Sequence, residues 1–439
     1  MIINSKERLE AVLEAERQFG ETRGAVPSEG FYRDKIAQSW ARARRSAAYR
    51  DIGPFGWPAF TALPVTPKER LKADPWSFVA TTLRASAKYY ETTGTTGAAT
   101  PTPRLAEDIL WNAVSVAFAW REPLGPEPRV LSLLPSDVVP VGDLVASVCE
   151  YLGVPHARAY PFATGISDWD RVVGLLAALR PTALFLAPGV ALQATRLLAQ
   201  RGLLERAAES VDTLLLLGEV SVPAMRERLG QWWGARVLDA SYGSTETGTL
   251  AAACPADGMH LLAGAVHAEL ADAEGGVSPL RPGASGRLVV TPLNLHARPL
   301  LRYDTGDEVT VGDGCPCGLA TPTLTVAGRA TDELTIGATR LSPRLVEEIV
   351  YGETTATGYV LEVDRTAGRL RVLLERQVGA DRDAEGTAGD AVVAAFARRA
   401  GLDADAVRVV FVNTLPAATK SGGSQKSWKR SNIRFVEAG

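Results

Sequence analysis

The sequence predicts an α/β protein: a large N-terminal domain with mostly parallel sheets and a β-subdomain, then a small α+β C-terminal domain. Three observations predict it. From Arg129 onward, short apolar runs ending in Gly or Pro alternate with helical patterns, as expected of strands buried on both faces by crossover helices. Residues 284–327 turn strand-rich and Gly-rich, which suggests the β-subdomain. Past Gly328-Arg329 the character changes again, to hairpin, helix and strand. The 439 residues also exceed what one hydrophobic core usually organises.

In chain order, residues 1–75 read as helices and loops rich in Arg, Ala and Pro. The opening MIINSKERLEAVLEAERQFG alternates charged and apolar residues like a surface helix and lacks the features of a signal peptide. The strand candidates are RVLSLLP (129–135), ALFLAPG (183–189), TLLLLGE (213–219) and RVLDASYG (236–243). Three helices separate them. DWDRVVGLLAALR puts Val172, Val173, Leu175, Leu176 and Leu179 on one side, and VALQATRLLAQRGL and VPAMRERLGQWWG follow. YVLEVDRTAGRLRVLLE reads as a hairpin closed around Thr366-Ala367-Gly368. GDAVVAAFARRAGL reads as a helix ending at Gly401, and AVRVVFV as a strand. The domains therefore run 1–328 and 329–439.

Composition narrows the function. A formal net charge of −3 with no long run of either sign argues against nucleic acid or an anionic membrane as principal partner. No apolar run reaches the roughly eighteen residues of a membrane span. Four cysteines are too few for a disulfide scaffold in a chain this long, which places the protein in the cytoplasm.

Three segments carry chemistry. Thr92 to Thr100 packs five hydroxyl side chains and two glycines into nine residues. Glycines let backbone N–H groups approach a phosphate, and hydroxyls add donors. No lysine follows as in a Walker loop, and a flexible linker is the alternative. Asp239 to Gly248, DASYGSTETG, follows a strand, so its side chains fall at the carboxyl edge of a sheet. A hydroxyl beside a carboxylate there suits a phosphate oxygen and Mg²⁺. The alternative is a polar loop with Ser244 or Thr245 as a helix N-cap. In the third, Arg302-Tyr303-Asp304-Thr305-Gly306-Asp307, an aspartate offers two oxygens to the two hydroxyls of a ribose, and the alternative is a plain turn.

In order and approximate spacing, ETTGTTGAATP, LLLLGE, SYGSTETG, PLLRYDTGD and GRATDEL resemble the adenylate-forming (acyl-activating) superfamily. FTALPVTPKERLKADPWSF and PLLRYDTGDEVTV followed by CPCG are similar to the phenylacetate–CoA ligase branch. The resemblance implies an enzyme that activates a carboxylic acid as acyl-AMP, releases pyrophosphate and passes the acyl group to a thiol. It implies that Thr92, Thr93, Thr95 and Thr96, with Gly94 and Gly97, hold the β- and γ-phosphates of ATP. Thr245 meets the α-phosphate, Glu246 helps to bind Mg²⁺, Asp307 takes the ribose hydroxyls and Arg329 assists. Gly218, Glu219 and Ser241-Tyr242-Gly243 border adenine and the acyl pocket. A lysine carried by a mobile C-terminal lid completes the family's site. Lys426 matches best, with Lys420 next and Lys429 behind it.

The chain departs from the family at Ala98, where relatives often carry lysine, at Thr331 in place of a hinge aspartate, and at Gln425 in place of a glycine. The last two leave open a degenerate relative that binds nucleotide without turnover.

Cys254, His260, Cys315 and Cys317 gather three of the four cysteines and one of the four histidines. Three thiolates and an imidazole are a ligand set of structural zinc, and the resemblance adds that many relatives carry such cysteines beside the β-subdomain. Cys149, in LVASVCEYLG, reads as core; His156, His267 and His296 show no partner pattern. By analogy, the loop from Pro135 to Gly142 closes over the acid with Val138, Val141 and Gly142 where relatives place an aromatic. That smaller gate suggests an aromatic or heteroaromatic acid. The acceptor is coenzyme A or the phosphopantetheine of a carrier protein. Relatives are often dimers, so a homodimer is expected, and the Ala/Arg/Gly-rich composition suggests secondary metabolism.

Overall fold

The computed structural model describes residues 5–92, 99–219, 221–328, 334–337, 339–364, 366–416 and 432–436. They form two compact units, each made of two stretches of chain: residues 1–158 with 239–327, and residues 159–238 with 328–439. The fold is mixed α/β with parallel strand pairs and several antiparallel sheets.

In the first unit, the helix Lys6–Thr22 starts at the N-cap Ser5, whose side chain accepts from the Arg8 N–H. Its apolar stripe of Val12, Ala15 and Phe19 packs on the long helix Ala106–Leu124, with Phe19 edge-on to Trp111 at 5.8 Å. The chain then makes one parallel crossover. Val130–Ser132 pairs in parallel with His156–Arg158, joined by the helix Val141–Leu152, which ends on the left-handed Gly153. Cys149 lies on that helix, 1% exposed, as expected of core.

The rest of this unit is antiparallel. A three-stranded sheet runs Met259–Leu261, Gly248–Ala253, Ser241–Ser244. A five-stranded sheet centres on Ser285–Pro292 between Val266–Ala271 and Tyr303–Val311. One apolar core lies on the larger sheet, built from Trp40, Phe60, Phe78, Leu293, Leu300 and Tyr303 among others. The β-subdomain is thus broader than the sequence suggests, because strands already begin at Ser241. RVLDASYG is also not one strand: Arg236–Asp239 stops at the buried Ala240, whose carbonyl accepts from Trp120 Nε1–H at 2.9 Å, and Ser241–Ser244 joins a different sheet.

In the second unit, Ala183–Leu186 and Thr213–Leu216 pair in parallel, and all eight residues are buried, which is why they read as unbroken apolar runs. Trp169–Leu179 begins at Asp168, which accepts from the Arg171 N–H at 2.8 Å, and Pro223–Trp233 ends on the left-handed Gly234. The C-terminal stretch folds as a four-stranded sheet in the order Val407–Val412, Arg369–Glu375, Gly358–Asp364, Ile433–Phe435, with helices Pro343–Glu353 and Glu385–Ala400. Its central hairpin turns at Gly368 with φ 63°, as the sequence predicts. An ion pair between Arg196 and Glu375 fastens this sheet to the helix Pro188–Gln200. No described helix is long and apolar enough to cross a membrane.

Candidate active site and metal centre

The hydroxyl-rich loop closes a hairpin. Lys88–Glu91 pairs antiparallel with Pro101–Arg104, Glu91 opposite Pro101. The Thr100 N–H donates to Thr92 Oγ1 at 2.9 Å, and the Thr92 N–H donates to the Thr100 carbonyl at 3.3 Å, so the mouth of the loop is pinned. Thr93, Gly94, Thr95, Thr96, Gly97 and Ala98 lie outside the described residues.

Two buried arginines anchor this hairpin. Arg298, 0% exposed, donates from Nη1 to the Pro101 carbonyl and from Nη2 to Thr102 Oγ1 at 2.9 Å. Arg104 donates from Nη2 to the carbonyls of Thr245 at 2.7 Å and Glu246 at 3.1 Å. The far strand of the phosphate-type loop is therefore tied directly to the turn that bears Glu246. Asp108 supports both from below: its carboxylate accepts from the backbone N–H groups of Leu105, His296 and Ala297.

That turn joins Ser241–Ser244 to Gly248–Ala253. No helix follows Ser244 or Thr245, so the capping alternative does not hold. Instead the Ser244 and Thr247 side chains bond one another at 3.1 Å and hold the turn. Gly243 is required by close approach, since a Cβ there would sit 2.3 Å from the Gly248 carbonyl oxygen. Glu246 is 5% exposed. Burial pushes its pKa up, but the charge of Lys68, its own backbone N–H, the Ser244 hydroxyl and Arg298 together hold it below the ordinary carboxylate range. It is ionised at neutral pH.

Asp307 lies on Tyr303–Val311, just after Gly306 with φ 73°, and accepts from the Tyr242 hydroxyl at 2.8 Å. The first unit thus carries Thr92, Tyr242, Thr245, Glu246 and Asp307, with Arg104 tied to the Glu246 turn and Tyr242 to Asp307. Arg104 Nη1 and Arg298 Nε are buried with no hydrogen-bond partner among the described residues. Spare buried donors of positive charge beside an ionised carboxylate and hydroxyls suit a phosphorylated ligand with its counter-cation.

Other candidates sit on other elements. Gly218, with φ 90°, and Glu219 follow Thr213–Leu216 in the second unit. Val138 is 52% exposed, and its carbonyl accepts from the Glu91 N–H at 2.8 Å. Val141 and Gly142 are not loop residues: they open the helix Val141–Leu152. A Cβ on Gly142 would sit 2.2 Å from Ser136 Oγ, so its glycine is explained by packing. Arg329, Thr331, Lys420, Gln425, Lys426 and Lys429 lie outside the described residues.

The four sulfur and imidazole candidates do meet. One ligand atom from each of Cys254, His260, Cys315 and Cys317 lies within 4.8 Å of the others. Cys254 Sγ and Cys315 Sγ are 3.6 Å apart, and Cys317 Sγ is 3.2 Å from His260 Nε2. His260 Nδ1 faces the Thr321 carbonyl and hydroxyl oxygens, both at 3.0 Å, which presents Nε2 to the cysteines. Gly258 forms the wall: its N–H donates to Cys254 Sγ, and a Cβ there would lie 2.7 Å from Cys315 Sγ and 3.2 Å from His260 Nε2. This donor set and second shell fit tetrahedral zinc.

No family model matches the sequence, and no curated protein matches it either. Solved structures do. A 2-hydroxyisobutyryl-CoA ligase in the postadenylation state, in complex with 2-HIB-AMP, superposes with TM-score 0.73 at 19% identity, covering 99% of this chain and 90% of that one. An anthranilate CoA ligase with anthranoyl-AMP gives 0.55 at 16% identity, over 77% of this chain and 64% of that one. The amide bond synthetase McbA from Marinactinospora thermotolerans gives 0.51 at 22% identity, over 76% and 66%.

The chain has the fold of the adenylate-forming ligases.

On an adenylate-forming fold, the residues that sequence reasoning missed are Lys68, Arg104, Asp108 and Arg298. Lys68 lies inside the quoted FTALPVTPKERLKADPWSF and Arg298 directly precedes PLLRYDTGD, and those placements are the usable signals. A lone charged residue otherwise reads as surface, and nothing in one sequence marks these as buried.

Proposed function

We propose that the chain joins a carboxylic acid to ATP as an acyl-adenylate and then transfers the acyl group to a thiol such as coenzyme A. The observation that carries this is the tie from the Thr92–Thr100 hairpin through Arg104 to Glu246, in the same unit as the Tyr242–Asp307 pair. Those are the positions that the family's motifs assign to triphosphate, metal and ribose.

In the proposed reaction an oxygen of the acid's carboxylate bonds to the α-phosphorus as the bond to pyrophosphate breaks. A thiolate then attacks the acyl carbon and AMP leaves. Thr92, Thr93, Gly94, Thr95, Thr96 and Gly97 hold the leaving phosphates, and Thr245 meets the α-phosphate. Glu246, already ionised, would hold Mg²⁺, which would supply positive charge toward the phosphates. Asp307 fixes the ribose, and Arg329 assists. Gly218, Glu219 and Ser241–Gly243 border adenine and acid. Lys426, on a mobile lid of residues 329–439, bridges carboxylate and α-phosphate, so that chemistry depends mainly on positioning. Cys254, His260, Cys315 and Cys317 hold a structural zinc.

The acid is aromatic or heteroaromatic in this reading, which an anthranilate CoA ligase among the neighbours supports. The likeness to an amide bond synthetase supports a second reading, in which an amine or a carrier protein accepts the acyl group. The test is to incubate the chain with ATP, Mg²⁺ and a panel of acids and detect acyl-AMP by mass. Coenzyme A, a phosphopantetheinylated carrier or an amine is then added. The proposal expects acyl-AMP first and thioester with AMP only after the thiol. Amide with no thioester favours the second reading, and no acyl-AMP with any acid overturns both.

A further inference from the structure

Lys68 is a buried lysine, 9% exposed, in a place where local preferences argue against it. It opens the short helix Lys68–Ala73, whose N-cap is Pro67 with no side-chain cap. A cation at a helix N-terminus opposes the macrodipole, and a buried ammonium costs several kcal/mol to desolvate. Natural sequences break local rules of this kind mainly where function demands it.

Its surroundings show what it touches. Lys68 Nζ donates to the Thr305 carbonyl at 2.9 Å, across 237 residues of sequence. The stem of the side chain covers the next residue: Lys68 Cδ lies 3.6 Å from where a Cβ on Gly306 would stand. Thr305 also receives the Asp307 N–H on its hydroxyl at 3.2 Å and donates that hydroxyl to the Leu288 carbonyl at 2.9 Å. Two residues before Lys68, Thr66 is zipped to the same strand. Its N–H donates to the Arg302 carbonyl at 2.8 Å, and its carbonyl accepts from the Asp304 N–H at 3.0 Å. Two backbone hydrogen bonds and the Lys68 side chain therefore hold the 66–68 segment against the Asp307 strand. Its charge is also felt at Glu246. A neutral donor would satisfy a carbonyl at lower cost, so the charge itself calls for a function.

We propose that Lys68 is a positioning residue of the nucleotide site, holding the Thr305–Gly306–Asp307 stretch of its strand so that the Asp307 carboxylate meets the ribose. The assignment rests on the nucleotide reading above. It extends that reading to a residue inside the FTALPVTPKERLKADPWSF segment, to which the resemblance assigned no role.

AMP is the probe, because it carries the ribose and α-phosphate and needs no knowledge of the acid. Calorimetry on the full chain compares wild type with Lys68→Met, Lys68→Gln and Lys68→Arg, each with its melting temperature. Lys68→Met and Lys68→Gln are expected to weaken AMP binding about tenfold or more, while Lys68→Arg recovers most of the loss. In an Asp307→Ala background the Lys68→Gln effect is expected to vanish, because Lys68 acts through that carboxylate. If Lys68→Met fails to fold, Lys68→Gln decides, since it keeps a donor and removes only the charge. Folded variants that bind AMP like wild type overturn the assignment. So does Lys68→Arg no better than Lys68→Gln, or an undiminished effect in the Asp307→Ala background. A wild-type chain that binds no AMP overturns the nucleotide reading itself, and Lys68 with it.

Discussion

His267 stands on Val266–Ala271 inside a ring of aromatic side chains, with Tyr32 at 5.0 Å, Phe60 at 5.5 Å and Trp57 at 6.0 Å, all edge-on. Burial, and secondarily the Arg302 guanidinium, push its pKa down to about 4. The folded state therefore holds the neutral imidazole, whereas the unfolded chain protonates it near pH 6.5. Above that pH neither state binds the proton. As pH falls from about 6.5 to about 4 the unfolded state gains it alone, and stability is lost through that window. A shift of this size corresponds to about 3 kcal/mol. His267→Phe keeps an aromatic filler without the titration. The difference in unfolding free energy between pH 7 and pH 4, read by denaturant titration, is expected to shrink by about that amount in the variant. An unchanged difference contradicts the account. No local pattern marks this cage, because its members are spread from residue 32 to residue 267 and a single histidine carries no spacing signal. The Glu246 turn is the opposite case: the hydroxyls and glycines that it needs sit beside it in the chain.

Elements were legible where local chemistry decides them. Asp168, Gly234, Gly368 and Gly401 end or begin their elements where capping and turn rules put them. The misreadings lie where tertiary contacts decide. GTLAAAC carries no alternation, yet Gly248–Ala253 is a strand, because five of its six residues are buried between neighbouring strands. Val141 and Gly142 read as loop only by analogy with relatives, whereas Pro140 takes the N-cap position and both residues open a helix. The contact of strand Arg369–Glu375 with helix Pro188–Gln200 also escaped sequence reading, since nothing local links Arg196 to Glu375. Glu375 is buried and Arg196 half-buried, with side-chain exposures of 3% and 13%. Arg196→Met strands the Glu375 charge and is expected to cost about 3–5 kcal/mol by chemical denaturation, and replacing both partners by apolar residues to cost less. A loss under about 1 kcal/mol for the single change contradicts the arrangement.

For the whole molecule, the fold class followed from the order of apolar runs and the family likeness from five short motifs. The side chains that weld those motifs into one site did not follow, being isolated charges. The metal centre lies between these cases. Rare residues announced it, and the Gly258 wall and the Thr321 partner of His260 complete it. Purified protein is expected to hold about one zinc per chain by metal analysis. Cys315→Ser is expected to lose the metal and lower the melting temperature, with a wild-type preparation free of zinc the contrary result. The most direct measurement of the central claim is exchange of labelled pyrophosphate into ATP across a panel of aryl and alkyl acids. The account predicts exchange that appears only with a matching acid and falls about a hundredfold or more in Glu246→Gln. Tight ATP binding with no exchange under any acid, or exchange untouched by Glu246→Gln, would contradict it.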